Sequence, residues 1–149
     1  MNELLYCPCG SQLSYKLCCQ PFIEYQALPN IPEQLMRSRY TAYTQHNLIY
    51  IKHTMTGEAA ANFDLATAHQ HAKQVVWLGL TIVSSKFAPA NKNIGFVEFK
   101  ALYSDSVGEQ QVLHERSKFE RLLLKQNANS DQPQVRAGRC WYYVKGIML

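Results

Sequence analysis

Ile94-Gly95-Phe96-Val97-Glu98-Phe99-Lys100-Ala101-Leu102-Tyr103 is the stretch that decides the fold. It alternates in character from residue to residue, the period-two signature of a half-buried β-strand. Pro89, Asn91 and Asn93 precede it as a turn, and before them Val75 to Lys86 is rich in β-branched and aromatic residues. Asp105, Ser106 and Gly108 follow it as a second turn, after which Gln110 to Leu124 alternates again. The polar residues Lys125 to Gly138 predict a long, mobile hairpin loop, and Arg139 to Met148 a last strand. Four strands joined by turns describe an antiparallel meander.

Upstream the period changes. Two prolines within Ala27 to Pro32 mark a short linker, and Asn30, Pro32 and Glu33 form a helix entrance with an acidic residue where the helix dipole favours it. Leu35, Met36, Arg39, Tyr40 and Tyr43 recur at helical spacing, which predicts an amphipathic helix ending near His46-Asn47. Shorter helices are expected from Leu48 to His53 and, more weakly, from Asp64 to Lys73. Helices first and strands afterwards give an α+β fold, with helices packed on one face of a curved four-stranded antiparallel sheet.

The front of the chain obeys a different logic. Cys7-Pro8-Cys9-Gly10-Ser11 and Cys18-Cys19 place four of the five cysteines within thirteen positions. So short a segment cannot bury enough apolar surface to fold alone; below roughly 40 residues a metal or disulfides are usually needed. Met1 to Tyr6 lacks the basic start and apolar run of a secretory leader, so a cytoplasmic, reducing compartment is expected. There, clustered cysteines favour a metal over disulfides; disulfides and a redox or iron–sulfur role are the alternatives. Four thiolates fill a tetrahedral zinc shell and leave no open position, so Cys7, Cys9, Cys18 and Cys19 are expected to hold a structural zinc. Gly10 supplies a positive φ that would turn backbone N–H groups toward sulfur, and Pro8 stiffens the link.

Composition limits the rest. The 149 residues suit one domain, residues 28–149, beside a small module, residues 1–24. A chain that is 47% hydrophobic and 17% charged is that of a packed globular protein. No apolar run reaches the roughly 18 residues of a membrane span. A net charge of +4 from scattered cations reads as a solvated surface, so a nucleic-acid partner is not favoured. Cys140, beside Trp141, reads as a small core residue rather than a nucleophile.

Two resemblances follow. Residues 7–19, CPCGSQLSYKLCC, resemble the SEC-C zinc motif in C-P-C-G-S, Tyr15, Lys16 and the closing cysteine pair. That resemblance implies Cys19 as fourth ligand. Where the motif commonly carries Gly-Lys-Lys after the serine, this chain has Gln12-Leu13-Ser14, without the basic character that would favour phosphate or ribosomal surfaces. Beyond it, Leu35-Met36-Arg37-Ser38-Arg39-Tyr40-x-Ala42-Tyr43, Trp77-Leu78-Gly79-Leu80, Gly95-Phe96-Val97-Glu98-Phe99, His114-Glu115-Arg116-Ser117-x-Phe119 and Trp141-Tyr142-Tyr143-Val144-x-Gly146 resemble the YchJ family of bacterial proteins. This resemblance implies a cone-like middle domain of the nuclear transport factor two-like fold, and no biochemical activity. Several relatives carry a second SEC-C motif at the carboxyl end; this sequence stops at Leu149 without one, which puts a function requiring two zinc modules in doubt.

Cones of this kind often enclose a pocket. On the third strand Leu113, Glu115, Ser117 and Phe119 share one face, which carries Glu115 inward. Arg39 lies in the helix's apolar stripe and is the expected ion-pair partner of a buried Glu115. That pair is read first as a structural clip and second as a general base, Glu115, with Arg39 or His53 assisting. His53 is otherwise a surface or capping residue, His69 and His71 point apart and make a poor metal pair, and Trp77 and Trp141 are core aromatics that could stack a flat ligand.

Three functions are carried forward. The leading one is a zinc-binding accessory protein whose module contacts another protein, with translocation or translation machinery in view. The others are a small-molecule binder and an isomerase-, dehydratase- or hydrolase-like enzyme; enzymatic activity is the least favoured. A homodimer through the open sheet face is compatible with each.

Overall fold

The computed structural model describes residues 6–123 and 138–149. A 3-10 turn at Tyr15–Leu17 and a short helix α1 (Gln20–Ile23) belong to the front segment. Helices α2 (Pro32–Thr44), α3 (Leu48–His53), α4 (Gly57–Ala61) and α5 (Leu65–Ala72) follow, then strands β1 (Val76–Ala88), β2 (Asn91–Ser104), β3 (Gln110–Leu123) and β4 (Arg139–Met148). The strands form one antiparallel sheet in the order β1-β2-β3-β4, open rather than closed into a barrel. The α+β reading holds. The expected hairpin loop at residues 125–138 lies, but for Gly138, outside the described residues.

Local chemistry accounts for the helix boundaries. Pro32 occupies the first position of α2, where its missing N–H costs nothing, and Glu33 sits in the first turn. His46 takes φ 57° just after α2, the left-handed conformation that reverses the chain. Asn47 then caps α3 by accepting from the Tyr50 amide at 3.1 Å, and Asp64 caps α5 by accepting from the Thr67 amide at 2.9 Å. The 3-10 turn, α1 and α4 were not expected; at three to five residues each they are too short to show a helical period.

One core joins all of this. Leu35, Met36, Tyr40, Tyr50 and Ile51 of the helices pack with Val97, Phe99, Ala101 and Phe119 of the sheet. Cys7, Cys9, Tyr15, Cys19 and Ile23 of the front segment belong to the same buried cluster. The Trp141 indole N–H donates to the Asn30 carbonyl at 3.1 Å and fastens the linker to β4.

The sheet departs from regular pairing at two places along β4. The β3–β4 pairing slips by one residue between Lys118 and Phe119, so that Ser117 faces Gly146 and Phe119 faces Tyr143. The slip gives Gly146 and Tyr143 the same side of β4, which strict alternation forbids. The segment after α3 also lies along β4: Thr56 N–H donates to the Tyr143 carbonyl at 2.9 Å and Tyr143 N–H to the Thr54 carbonyl at 2.8 Å.

Candidate metal centre and pocket

Backbone hydrogen bonds shape the cysteine turn. The Cys7 amide donates to the Leu13 carbonyl at 2.7 Å, and the Gly10 amide to the Cys7 carbonyl at 3.2 Å. Gly10 takes the expected positive φ, 84°, but its N–H thus serves a carbonyl rather than a sulfur. A Cβ there would also press on the Leu80 carbonyl oxygen at 3.1 Å, so glycine lets the turn sit directly on β1.

The sulfurs of Cys7, Cys9, Cys18 and Cys19 lie within 4.8 Å of one another, and none of the four is in a disulfide. Cys9 Sγ is 3.6 Å from Cys18 Sγ, and Cys18 Sγ is 3.9 Å from Cys19 Sγ. A tetrahedron of sulfurs each about 2.3 Å from zinc has edges of about 3.8 Å. The donor set and its spacing therefore fit one tetrahedral ion, and the cluster could hold a metal.

Surrounding groups orient the sulfurs. The Thr41 hydroxyl donates to Cys19 Sγ at 3.4 Å and lies 3.7 Å from Cys7 Sγ; Ser11 Oγ is 3.1 Å from Cys18 Sγ. Arg37 Nη1 donates to the Cys9 carbonyl at 2.8 Å and reaches Cys9 Sγ at 3.7 Å, while its Nε is held by Glu33 at 3.0 Å. Arg37 and Thr41 are one turn apart, so α2 presents both on the face toward the cysteines. Gln45 Nε2 adds a bond to the Tyr15 hydroxyl at 2.9 Å. Sequence reasoning missed these supporting residues, because nothing local links Arg37 to a cysteine 28 positions away.

The sulfurs share charge unevenly. Hydrogen bonds from Cys19 and Cys7 push the Cys9 thiol far down, and hydrogen bonds to Cys7, then Cys9, push Cys19 far up. Burial lifts Cys18 to about 11. Cys9 takes a negative charge readily while Cys18 and Cys19 resist one, so ionising them together calls for a cation.

The second candidate site is a partly open pocket of about 540 Å³ between α2, α5 and the inner face of the sheet. Buried Met36, Arg39, Phe99, Ala101 and Ser117 line its inner end, and His71, Gln74 and Ser106 its exposed end. Trp77 lies at the centre of an aromatic wall, with ring centroids 5.9 Å from Tyr40, 6.1 Å from Tyr43 and 5.2 Å from Tyr103. Glu115 is on the floor as expected, its Oε2 accepting from the Ser117 hydroxyl at 2.6 Å and the Tyr143 hydroxyl at 3.0 Å. Burial, then the Glu115 charge, hold the Tyr143 phenol well above its ordinary range. Gly146 makes room: a Cβ there would overlap the Glu115 carboxylate and the Tyr143 hydroxyl.

Arg39 and Glu115 both line the pocket, but the expected ion pair between them is absent. Arg39 is buried, donating from Nη1 to the Ile51 carbonyl at 3.0 Å and to Thr54 Oγ1 at 2.7 Å. Its guanidinium lies 4.4 Å from the centroid of the Tyr143 ring, so Tyr143 touches both members of the predicted pair. His53 does not line the pocket; its Nδ1 is 2.8 Å from the Tyr25 hydroxyl. Of the two tryptophans, Trp77 lines the pocket and Trp141 is core. Cys140 is buried. No described helix is long and apolar enough to cross a membrane.

Known proteins are similar to this chain in sequence and fold. A family profile described as "YchJ, middle NTF2-like domain" matches residues 31–146. A protein of Serratia proteamaculans named "UPF0225 protein" is 38% identical over 147 residues, covering 98% of this chain and 84% of its own length. A SEC-C motif containing protein from Rhodopseudomonas palustris, solved in solution, matches with a TM-score of 0.75 and 30% identity, over 96% of this chain and 98% of that one. A crystal structure of a SEC-C motif containing protein from Psychrobacter arcticus gives a TM-score of 0.72 and 30% identity, over 93% and 80%.

Proposed function

The chain belongs to the YchJ family, and on that premise we propose that it is a cytoplasmic accessory protein in which Cys7, Cys9, Cys18 and Cys19 hold one structural zinc. The observation that carries this reading is the sulfur spacing of 3.6 and 3.9 Å beside the edge of about 3.8 Å that zinc requires. The ion would supply charge compensation and cross-linking, not chemistry, since four thiolates leave no open position. Structural zinc of this type contributes on the order of 10–16 kcal/mol to folding at neutral pH.

The zinc module is the partner-contacting element in this reading. Tyr6, Leu13 and Leu17 are 61%, 54% and 78% exposed on it, an apolar set outside the buried cluster of the described residues. The partner is a protein, with translation or translocation machinery the first to test on motif likeness. Elemental analysis of native protein should find one zinc per chain, and Leu13→Ser with Leu17→Ser should keep the zinc while abolishing partner capture. Metal-free protein with an ordered front segment would sink the zinc reading, and unchanged capture by the double variant would sink the contact role. Deleting the module is the poorer experiment, because it strips Cys7, Cys9, Tyr15, Cys19 and Ile23 out of the shared core.

A second reading concerns the other site. The pocket of about 540 Å³ has the size and mixed lining of a small-molecule site, and it supports ligand binding by the middle domain.

A further inference from the structure

The pocket's lining discriminates among ligands. One wall is aromatic: Tyr40, Tyr43, Trp77 and Tyr103 all line the pocket, with Trp77 in contact with the other three rings. Aromatic faces carry negative electrostatic potential and attract cations. Three charged residues complete the lining: Glu115, Asp105 and Arg39. With His71 neutral, the sum is minus one.

How these charges are engaged matters more than their number. Arg39 is spent inside the protein on the Ile51 carbonyl, Thr54 and the Tyr143 ring. Asp105 is spent on its own turn: Oδ1 accepts from the Val107 and Glu109 amides at 3.0 and 2.9 Å, and Oδ2 from Gln111 at 3.1 Å. Glu115 differs. Both of its hydrogen bonds fall on Oε2, and Oε1 accepts none among the described residues. Ser117 and Tyr143 fix the carboxylate while one oxygen remains available, and no cationic side chain among the described residues forms an ion pair with it.

We propose that this pocket binds a small organic cation, an aromatic compound bearing an amine, with the ammonium on Oε1 of Glu115 and the ring against Trp77. The proposal deepens the small-molecule reading given above and rests on it. An anion meets Glu115 without compensation, and a neutral alcohol can donate to Oε1 but gains no charge-assisted bond. Tyr143 and Ser117 act as positioning residues, since they hold the carboxylate rather than meet the ligand's head group.

Three probes share one ring and differ in head-group charge: tryptamine, tryptophol and indole-3-acetate. Calorimetry on the full-length protein should show tryptamine binding at least about tenfold more tightly than tryptophol, the scale of a charge-assisted hydrogen bond. Indole-3-acetate should bind more weakly than either. In NMR spectra tryptamine should shift the indole N–H of Trp77 and leave that of Trp141 in place. Glu115→Gln should lower tryptamine affinity to the tryptophol level and leave tryptophol unchanged, which also reports that the pocket is intact. Tyr103→Leu, at a separate position on the wall, should weaken tryptamine several-fold should the first variant fold poorly. Equal affinity for the amine and the alcohol, or preference for the acid, overturns the cation assignment and leaves the pocket reading standing. Failure of all three probes to bind or to shift Trp77 overturns both.

Discussion

Replacing Gly146 with alanine should unseat Glu115, and the size of the effect can be worked from the geometry. Gly146 pairs with Ser117 across β3 and β4, and the Glu115 side chain lies over it. A methyl group there would overlap both the carboxylate and the Tyr143 hydroxyl. The backbone is held by the ladder on β3, so the carboxylate, at the end of a flexible side chain, is what moves. Moving it breaks the 2.6 Å bond from Ser117 and the 3.0 Å bond from Tyr143. Hydrogen bonds to a charged group are worth about 1.5–3 kcal/mol each, but Glu115 is only half-buried and recovers part of this from water. A net loss of about 1–3 kcal/mol is expected, typical of inserting a methyl where none fits. For a chain of this length that lowers Tm by roughly 3–9 °C. Urea and thermal unfolding of Gly146→Ala, Glu115→Ala and the double variant measure it. Once Glu115 is removed the obstruction is gone, and alanine at 146 should be neutral or slightly stabilising, since glycine weakens a strand by about 0.5–1 kcal/mol. The coupling between the two sites should therefore reach about 1 kcal/mol or more. Equal cost of Gly146→Ala in both backgrounds would falsify the argument.

Three further outcomes follow from the metal centre and the core. Chelation of the native protein, or acidification that protonates the thiolates, should lower the midpoint of a single unfolding transition of the whole chain, because the cysteines share one core with Leu35 and Phe99; separate transitions for module and domain would contradict this. Arg37→Ala should weaken zinc retention about 10–100-fold against a competing chromophoric chelator, the usual cost of losing an outer-shell partner. Arg37→Lys should recover only part of it, since a lysine cannot hold Glu33 and the Cys9 carbonyl in one fork. Burial lifts Tyr40 to about 12 from the ordinary phenol value of 10.0, so its contribution is complete below pH 10 and is lost as pH rises toward 12. Denaturation between those pH values should show about 2–3 kcal/mol less loss of stability in Tyr40→Phe than in the native chain; identical slopes would refute the assignment.

The sequence made the sheet legible because two turns rich in Asn, Asp, Gly and Pro, and one long polar segment, punctuate the strand-like runs. It put Glu115 on the correct wall for the same reason, since Leu113, Glu115 and Ser117 share a face in any unbroken strand and all three line the pocket. Its account of Arg39 failed at the β3–β4 slip, which turns Tyr143 inward, the role strict alternation would give to Tyr142. No local pattern announces such a bulge. His53 went astray for a rotational reason: it lies three residues from Tyr50, and both rings are 5.9 Å from Tyr25, which fixes that face of α3 against the front segment. The four cysteines declared themselves by spacing alone, whereas Arg37 and Thr41 are brought to them only by tertiary packing.

The strip Thr54 to Thr56, bonded on both sides of Tyr143, has a consequence for molecules meeting one another in a crowded cell. An uncovered sheet margin invites a foreign strand to dock and seed fibres. Here the β4 margin is latched midway by the chain's own backbone. The opposite margin, β1, is broken by register shifts at Trp77/Gly79, Ile82/Ser84 and Phe87/Ala88, so it offers an incoming strand no straight template. Copies of this protein should therefore meet through side-chain surfaces rather than by extending one another's sheets.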